Sequence, residues 1–110
     1  MKILSPIELN IVTYTASATL VKTDSTKLVI MNVGSANDLT VPPNADVSFP
    51  IGTQITVIQN GAGKTRIKAG VGVTINSDGA KTYINSQYSG CTIIKTATNI
   101  WSLIGNLSLT

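Results

Sequence analysis

The amino-acid sequence predicts an all-β protein: a compact, sandwich- or barrel-like domain of short antiparallel strands with an extended N-terminal arm. Three observations lead to this fold class. The 110 residues are 43% hydrophobic but only 5% aromatic and 12% charged, so the apolar content lies in Ile, Val and Leu, which favour strands. Short apolar runs alternate with turns rich in Gly, Pro, Asn and Asp. No window shows a sustained apolar period of about 3.6 residues, as an amphipathic helix would.

The predicted strands are short and are separated by turn residues. The turn after residue 33 contains Gly34, and the one after residue 41 begins with Pro42, which removes a ladder donor and forces a corner. The strands are expected at residues 18–22, 27–33, 39–41, 54–59, 65–69, 73–76, 91–97 and 99–103.

The first 14 residues are predicted to form an arm, and residues 15–110 a single β domain. Pro6 breaks any helix, and no turn pairs the segment back on itself. The alternative is an ordinary first strand of the domain. Because termini are ordered only when other structure holds them, we expect the arm to contact another chain. Its predicted contact residues are Ile3, Leu4, Ile7, Leu9 and Ile11.

Several strands are apolar on both faces. Leu28 and Ile30 alternate with Val29 and Met31, and the run around Trp101 has the same property. A single domain of this size has little polypeptide to cover a second apolar face, so we expect other copies of the chain to cover it. The low fraction of charged residues, 12%, also favours a surface that other copies cover. The alternative is a stable monomer with a Thr, Ser and Asn surface.

The composition argues against an enzyme. The chain has no His, which removes the commonest general base and transition-metal ligand. Cys91 is alone and is expected to be a small buried hydrophobe. The aspartates lie in or beside turns, and no pair of carboxylates belongs to a recognisable motif. We therefore predict no catalytic residues, no cofactor and no metal. No apolar stretch approaches the roughly 20 residues that cross a membrane.

The segment 61–65, Gly-Ala-Gly-Lys-Thr, is similar to the end of a phosphate-binding loop. That motif requires a Gly where Ile58 stands, and a helix after the loop, whereas a strand is predicted here. The sequence favours a hairpin turn in which Asn60 and Gly61 supply the positive φ angles.

Lys64, Arg66 and Lys68 alternate, so all three are expected on one face of a strand. This stripe could bind an acidic protein surface, a glycan or nucleic acid. The alternative is a solvated face, or charges that stop an exposed edge from pairing. Three charges give few phosphate contacts, which argues against nucleic acid. Trp101 is expected to anchor either the core or a subunit contact.

Five motifs follow one another between residues 40 and 107. They are TVPP at residues 40–43, FPIGTQITVIQ at 49–59, GAG at 61–63, GVTIN at 72–76 and ATNIWSLIG at 97–105. In this order they resemble a small β domain of tailed-phage virion proteins, including tail fibres, head fibres and capsid decoration proteins. The resemblance implies a β-rich homotrimer with no catalytic residues.

Within that family the short chain favours a capsid decoration (cement) protein on the head shell, assembled in the host cytoplasm. Trimers would bind the major capsid protein, and the arms would clamp neighbouring subunits. One rival is a short head-fibre or tail-fibre module that binds host surface glycans, with Tyr83 or Tyr88 as candidate contacts. Another is a glycoside-cleaving tailspike fragment, which would need a paired-carboxylate cleft.

Overall fold

The computed structural model describes residues 8–110, which form two β-sheets packed face to face. The prediction of an all-β fold is confirmed. Short 3-10 turns cover Lys22–Asp24 and Asp78–Ala80. The strands are β1 Ile11–Tyr14, β2 Ala18–Thr19, β3 Leu28–Met31, β4 Asn37–Val41, β5 Gln54–Gln59, β6 Thr65–Ala69, β7 Thr74–Ser77, β8 Tyr83–Ile84, β9 Gly90–Ala97, β10 Ile100–Gly105 and β11 Leu107–Ser108.

The first six strands alternate between the two sheets. The six-stranded sheet has the order β1-β3-β5-β9-β10-β7, and the five-stranded sheet has the order β11-β8-β6-β4-β2. The chain therefore winds as a short coil, in which β1, β3 and β5 pair in parallel, as do β2, β4 and β6. Antiparallel pairs join β9 to β5 and β10, and β8 to β6 and β11.

The prediction of antiparallel strands is thus wrong for the pairs among β1 to β6 and for β7, which pairs in parallel with β10. It holds for the pairs that β8 and β9 form. Turn residues mark where the backbone bends, but here the bends carry the chain across to the opposite sheet. The hairpin expected at Asn60 and Gly61 is also wrong, because β5 and β6 lie in different sheets. Gly61 does not adopt a positive φ. This connection is an arch between sheets.

Two coils of the chain repeat with an offset of 28 residues. Leu28 pairs with Thr56 in one sheet, and Asn37 pairs with Thr65 in the other. The sequence carries a trace of this repeat, since Val-Ile-x-Asn occurs at residues 29–32 and again at 57–60. The match is too short to indicate the coil without the register.

The arch of one coil stacks directly on the arch of the previous one. A Cβ atom on Gly61 would lie 2.2 Å from the carbonyl oxygen of Val33, and one on Gly63 would lie 1.9 Å from that of Ser35. Real Cβ atoms do not approach backbone this closely, so both positions require glycine. The Gly63 amide donates to the Val33 carbonyl at 2.9 Å, which continues the parallel ladder around the bend.

Buried polar side chains fix the same arches. The Thr65 hydroxyl donates to Asn37 Oδ1 at 2.7 Å, and the Thr65 amide donates to Gln59 Oε1 at 3.1 Å. The Asn37 amide group in turn donates to the Ser35 carbonyl at 2.9 Å. Because these groups are satisfied inside the protein, their burial does not leave costly unpaired donors or acceptors.

The core fills the space between the sheets and takes one face of each strand. Trp101 is 1% exposed and packs edge-on against Phe49, with ring centroids 5.6 Å apart. In β3 the inward residues are Val29 and Met31. The other buried hydrophobic residues are Leu20, Val33, Leu39, Val41, Ile55, Val57, Ile67, Ile84, Cys91, Ile93 and Leu103.

The last residues of the predicted arm belong to the domain. β1 pairs in parallel with β3 along its whole length, from Ile11 opposite Leu28 to Tyr14 opposite Met31. Residues 11–14 therefore form an edge strand, which is the alternative that the sequence left open. The predicted arm residues Ile3, Leu4 and Ile7 lie outside the described residues.

Candidate functional surfaces

None of the outward-facing residues within the six strands of the larger sheet is charged. Lys27, which precedes β3, lines a concavity beside the outward residues Gln54 and Thr56. We call the outward residues of these six strands the uncharged face. The single charged residue in the strands, Lys95, points inward and is buried. Thr, Ser, Asn and Gln supply the polar part of the face. Its apolar members are Ile11, Leu28, Ile30, Ile58, Ile94, Ile100 and Ile104.

The strand register brings four of these apolar side chains together. Ile30 lies opposite Ile58 on the neighbouring strand, and Ile11 lies opposite Leu28, so they form an apolar cluster on β1, β3 and β5. The other apolar members each lie beside at least one polar residue of a neighbouring strand. Both parts of the face are accessible, since Ile11 is 61% exposed and Ile104 is 58% exposed.

The uncharged face is the second apolar face that the sequence predicted for β3 and β10. Among residues 8–110 nothing packs on top of it, so Leu28 and Ile30 are only half-buried by their neighbours in the sheet. The other sheet covers the inner face alone.

The size of the uncharged face suits a protein contact. Six strands of four to eight residues, spaced about 4.8 Å apart, cover roughly 25 by 17 Å, or about 400 Å². This area includes both the polar and the apolar outward residues.

The predicted contact residues fall in different places. Leu9 and Ile11 are exposed at the edge of the uncharged face, and Leu9 lines a shallow concavity with Gln54 and Thr56. Trp101 instead anchors the core, so it has no surface to offer a partner.

The outer side of the five-stranded sheet is polar and contains a concavity of about 290 Å³, which we call the polar groove. At its centre the Arg66 side chain donates two hydrogen bonds to the Asp38 carboxylate, at 2.9 and 3.1 Å. The guanidinium also lies 5.9 Å from the centre of the Tyr83 ring. The groove is lined by Ser17, Ala36, Asn37, Asp38, Lys64, Arg66 and Tyr83.

The predicted basic stripe lies on this side of the molecule. Thr65 and Ile67 point into the core, so Lys64, Arg66 and Lys68 face outward. Among residues 8–110 the only ion pair joins Arg66 to Asp38. The cross-strand partner neutralises the centre of the stripe, and Lys64 and Lys68 carry its net charge.

The two candidate glycan-contact tyrosines differ in exposure. Tyr88 is 74% exposed and holds a left-handed backbone conformation, with φ of 68°. Tyr83 is half-buried beneath Arg66 in the polar groove. Only Tyr83 lies beside other side chains of the groove.

Lys95 is a buried cation that the sequence analysis did not single out. It is 2% exposed, and its Nζ donates to Asn44 Oδ1 at 2.6 Å and to the Phe49 carbonyl at 2.8 Å. Desolvation, with a smaller contribution from Lys22, lowers the pKa of Lys95 below its usual value. The sequence does indicate this burial, because strand alternation places Lys95 on the same face as Ile93 and Ala97.

Cys91 and Tyr14 are two further side chains whose pKa values are raised by their surroundings. Burial raises the pKa of the Cys91 thiol to about 12, so the thiol stays protonated at neutral pH. The Tyr14 hydroxyl donates to the buried Asp24 carboxylate at 2.7 Å, and burial together with this carboxylate raises the pKa of Tyr14 to about 12. Asp24 also accepts from the Val21 amide, which closes the turn before β3.

Within residues 8–110 no three His, Cys, Asp or Glu side chains come together in a way that would hold a metal ion. None of the helical segments in that range has the length and apolar character of a membrane span. The chain matches no family model, no curated protein and no solved structure.

Proposed function

We propose that the chain is a structural virion protein of a tailed bacteriophage, which self-associates through the uncharged face. In this role it forms a homotrimer that binds the head shell as a capsid decoration protein. The proposal assigns no catalytic residues and no cofactor.

The uncharged face is the observation that carries the proposal. The two outer sides of the molecule differ: the strands of one present an apolar cluster and no charged residue, and the other has lysines, an ion pair and a polar groove. A solvent-exposed sheet normally carries polar and charged residues on its outer face. The uncharged face, polar and apolar residues together, covers about 400 Å², which is about half of the roughly 800 Å² that each partner buries in a standard interface.

The virion setting and the number three come from the resemblance of residues 40–107 to the phage β domain. The uncharged face supports assembly from copies of the chain but does not set their number. The two arguments are independent, since one uses the order of motifs and the other uses exposed chemistry.

Ile104→Lys tests self-association. Ile104 is 58% exposed, so the change places a charge on the uncharged face without disturbing the core. Burying an unpaired ammonium in a contact is unfavourable, and burial of the Ile side chain is lost, so association should weaken at least about tenfold. Sedimentation equilibrium over a dilution series measures the effect.

Val71→Lys is the matched control, because Val71 is a 91% exposed apolar residue in a loop outside the uncharged face. It should assemble like the parent protein. A parent protein that sediments as a monomer at every concentration would remove the basis of the proposal, as would equal weakening by the two lysine variants.

Deleting residues 2–7 tests the contact with the head shell. The deletion ends before β1, so it leaves every described strand in place. We expect the truncated protein to keep its oligomeric state but to lose binding to phage heads prepared without it, as measured by co-sedimentation. Undiminished binding to those heads would contradict a clamping role for the N-terminal segment.

A further inference from the structure

We infer that the polar groove is a binding site for an acidic saccharide, one whose sugar rings carry carboxylate groups. The groove lies on the five-stranded sheet, on the opposite side of the sandwich from the uncharged face. The inference therefore does not depend on the mode of self-association.

The charge of the groove favours an anion. Lys64 and Arg66 contribute two positive charges and Asp38 one negative charge, which leaves a net positive lining. Lys68 adds a further positive charge on the same face of β6. Lys64 forms no ion pair within residues 8–110, so its ammonium is available to a carboxylate of the ligand.

The ion pair at the centre offers donors and acceptors in fixed positions. Arg66 uses Nε and one terminal nitrogen to hold Asp38, and a guanidinium has five N–H donors, so some remain free. Each Asp38 oxygen likewise keeps acceptor capacity. Neighbouring hydroxyl groups of a sugar both donate and accept, which matches such a pair. The side chains of Arg66 and Asp38 are each 35% exposed, so a ligand can reach them.

The local structure holds this pair in place before any ligand arrives. The parallel register of β4 and β6 sets Asp38 opposite Arg66, and the Tyr83 ring on β8 lies beneath the guanidinium. The Asp38 amide donates to the Ser17 hydroxyl at 2.9 Å, which ties the edge of the groove to β4. Such preorganisation lowers the entropy that binding must overcome.

The groove continues into a second concavity of about 270 Å³, which shares Ser17 and Asp38 with it. Thr19 and Thr40 supply hydroxyl groups there. The two spaces together fall within the roughly 300–1,000 Å³ of typical ligand pockets, so more than one sugar ring fits.

Nucleic acid suits this surface less well. Three basic side chains make few phosphate contacts, and one of them is already paired with a carboxylate. Stacking of bases requires an accessible aromatic face, whereas Tyr83 is half-buried under Arg66.

The test uses trigalacturonic acid as the probe, with galactotriose as its uncharged counterpart and a trinucleotide as a ligand of similar charge. Titrations followed by amide NMR should show trigalacturonic acid shifting groove resonances, with much weaker effects from the other two. Lys64→Gln should weaken that binding about tenfold, since a charge-assisted hydrogen bond is lost. Arg66→Lys keeps the charge but removes the paired geometry, and should weaken it by a similar factor.

Lys27→Gln is the matched control, because it removes the same charge on the other side of the sandwich, beside Leu9 and Thr56. It should bind trigalacturonic acid like the parent. The inference is overturned if trigalacturonic acid does not bind, or if the trinucleotide binds as well. It is also overturned if Lys27→Gln weakens binding as much as Lys64→Gln does, or if Arg66→Lys leaves binding unchanged.

Discussion

Cys91 and Lys95 both point into the core from β9, two strand repeats apart. Burial acts on them in opposite directions because it favours the neutral form of each: it raises the pKa of the thiol and lowers the pKa of the ammonium. Lys95 is retained by neutral acceptors on Asn44 and Phe49 rather than by a carboxylate. These two side chains are enclosed in the core, so contacts with other molecules depend on exposed side chains instead.

The buried thiol predicts a loss of stability in mild alkali. Burial raises the folded-state pKa of Cys91 to about 12, whereas an unfolded thiol titrates near 8.5. The unfolded chain therefore loses its proton first, and stability present below about pH 8.5 falls as the pH rises. The loss from this group should be about 2 kcal/mol at pH 10.

Urea denaturation of the parent and of Cys91→Ala at pH 7 and pH 10 isolates this effect. Tyrosine and lysine titrations occur in both proteins, so they cancel in the difference between the two pH dependences. Equal pH dependences for the two proteins would show that Cys91 does not remain protonated in the folded state.

At the residue scale, the sequence predicted on which face of a strand a side chain lies better than it predicted which side chain it contacts. Strand alternation correctly placed Lys64, Arg66 and Lys68 on one outward face. It did not pair Arg66 with Asp38, because those residues are 28 positions apart and meet only through the register of β4 and β6. The polar groove depends on that register and was not predicted.

At the scale of elements, strand positions followed from apolar runs and turn residues, but strand pairing did not. The predicted strands at 54–59 and 65–69 match β5 and β6. A bend rich in glycine is compatible both with a hairpin and with an arch to the opposite sheet. The arch is distinguished from the hairpin by its stacking on the previous arch. That contact joins residues 28 positions apart, so local propensity does not encode it.

The stacked arches predict unequal costs for two glycine substitutions. In Gly63→Ala the new Cβ would lie 1.9 Å from the Ser35 carbonyl oxygen, so the coils must separate, and we expect a loss of about 3 kcal/mol. In Gly34→Ala the new methyl group meets nothing within 4 Å, so the change should stay within about 0.5 kcal/mol.

Urea midpoints at one fixed protein concentration compare these two variants, because association also contributes to apparent stability. Similar midpoints for both would mean that the arches do not stack as described. A large loss for Gly34→Ala alone would contradict the fold at this corner.

For the molecule as a whole, the sequence indicated that strands apolar on both sides would leave one side uncovered. It did not indicate that the uncovered sides gather on one sheet, since this follows from the alternation of strands between the two layers. The alternation gives the sandwich one sheet whose outward strand residues carry no charge and one with a net positive groove. The two sides are therefore expected to respond differently to the solvent.

Ionic strength separates the two sides in a single experiment. Contacts through the uncharged face depend on apolar burial, so raising NaCl from about 50 to about 500 mM should change the self-association constant less than about twofold. Binding of trigalacturonic acid to the polar groove depends on Lys64 and Arg66 and should weaken about tenfold over the same range, because salt screens exposed charges. Sedimentation equilibrium and NMR titration of the same preparation measure both quantities. Self-association that falls as steeply with salt as saccharide binding would place charged groups in the contact between copies and would rule out the uncharged face as its centre.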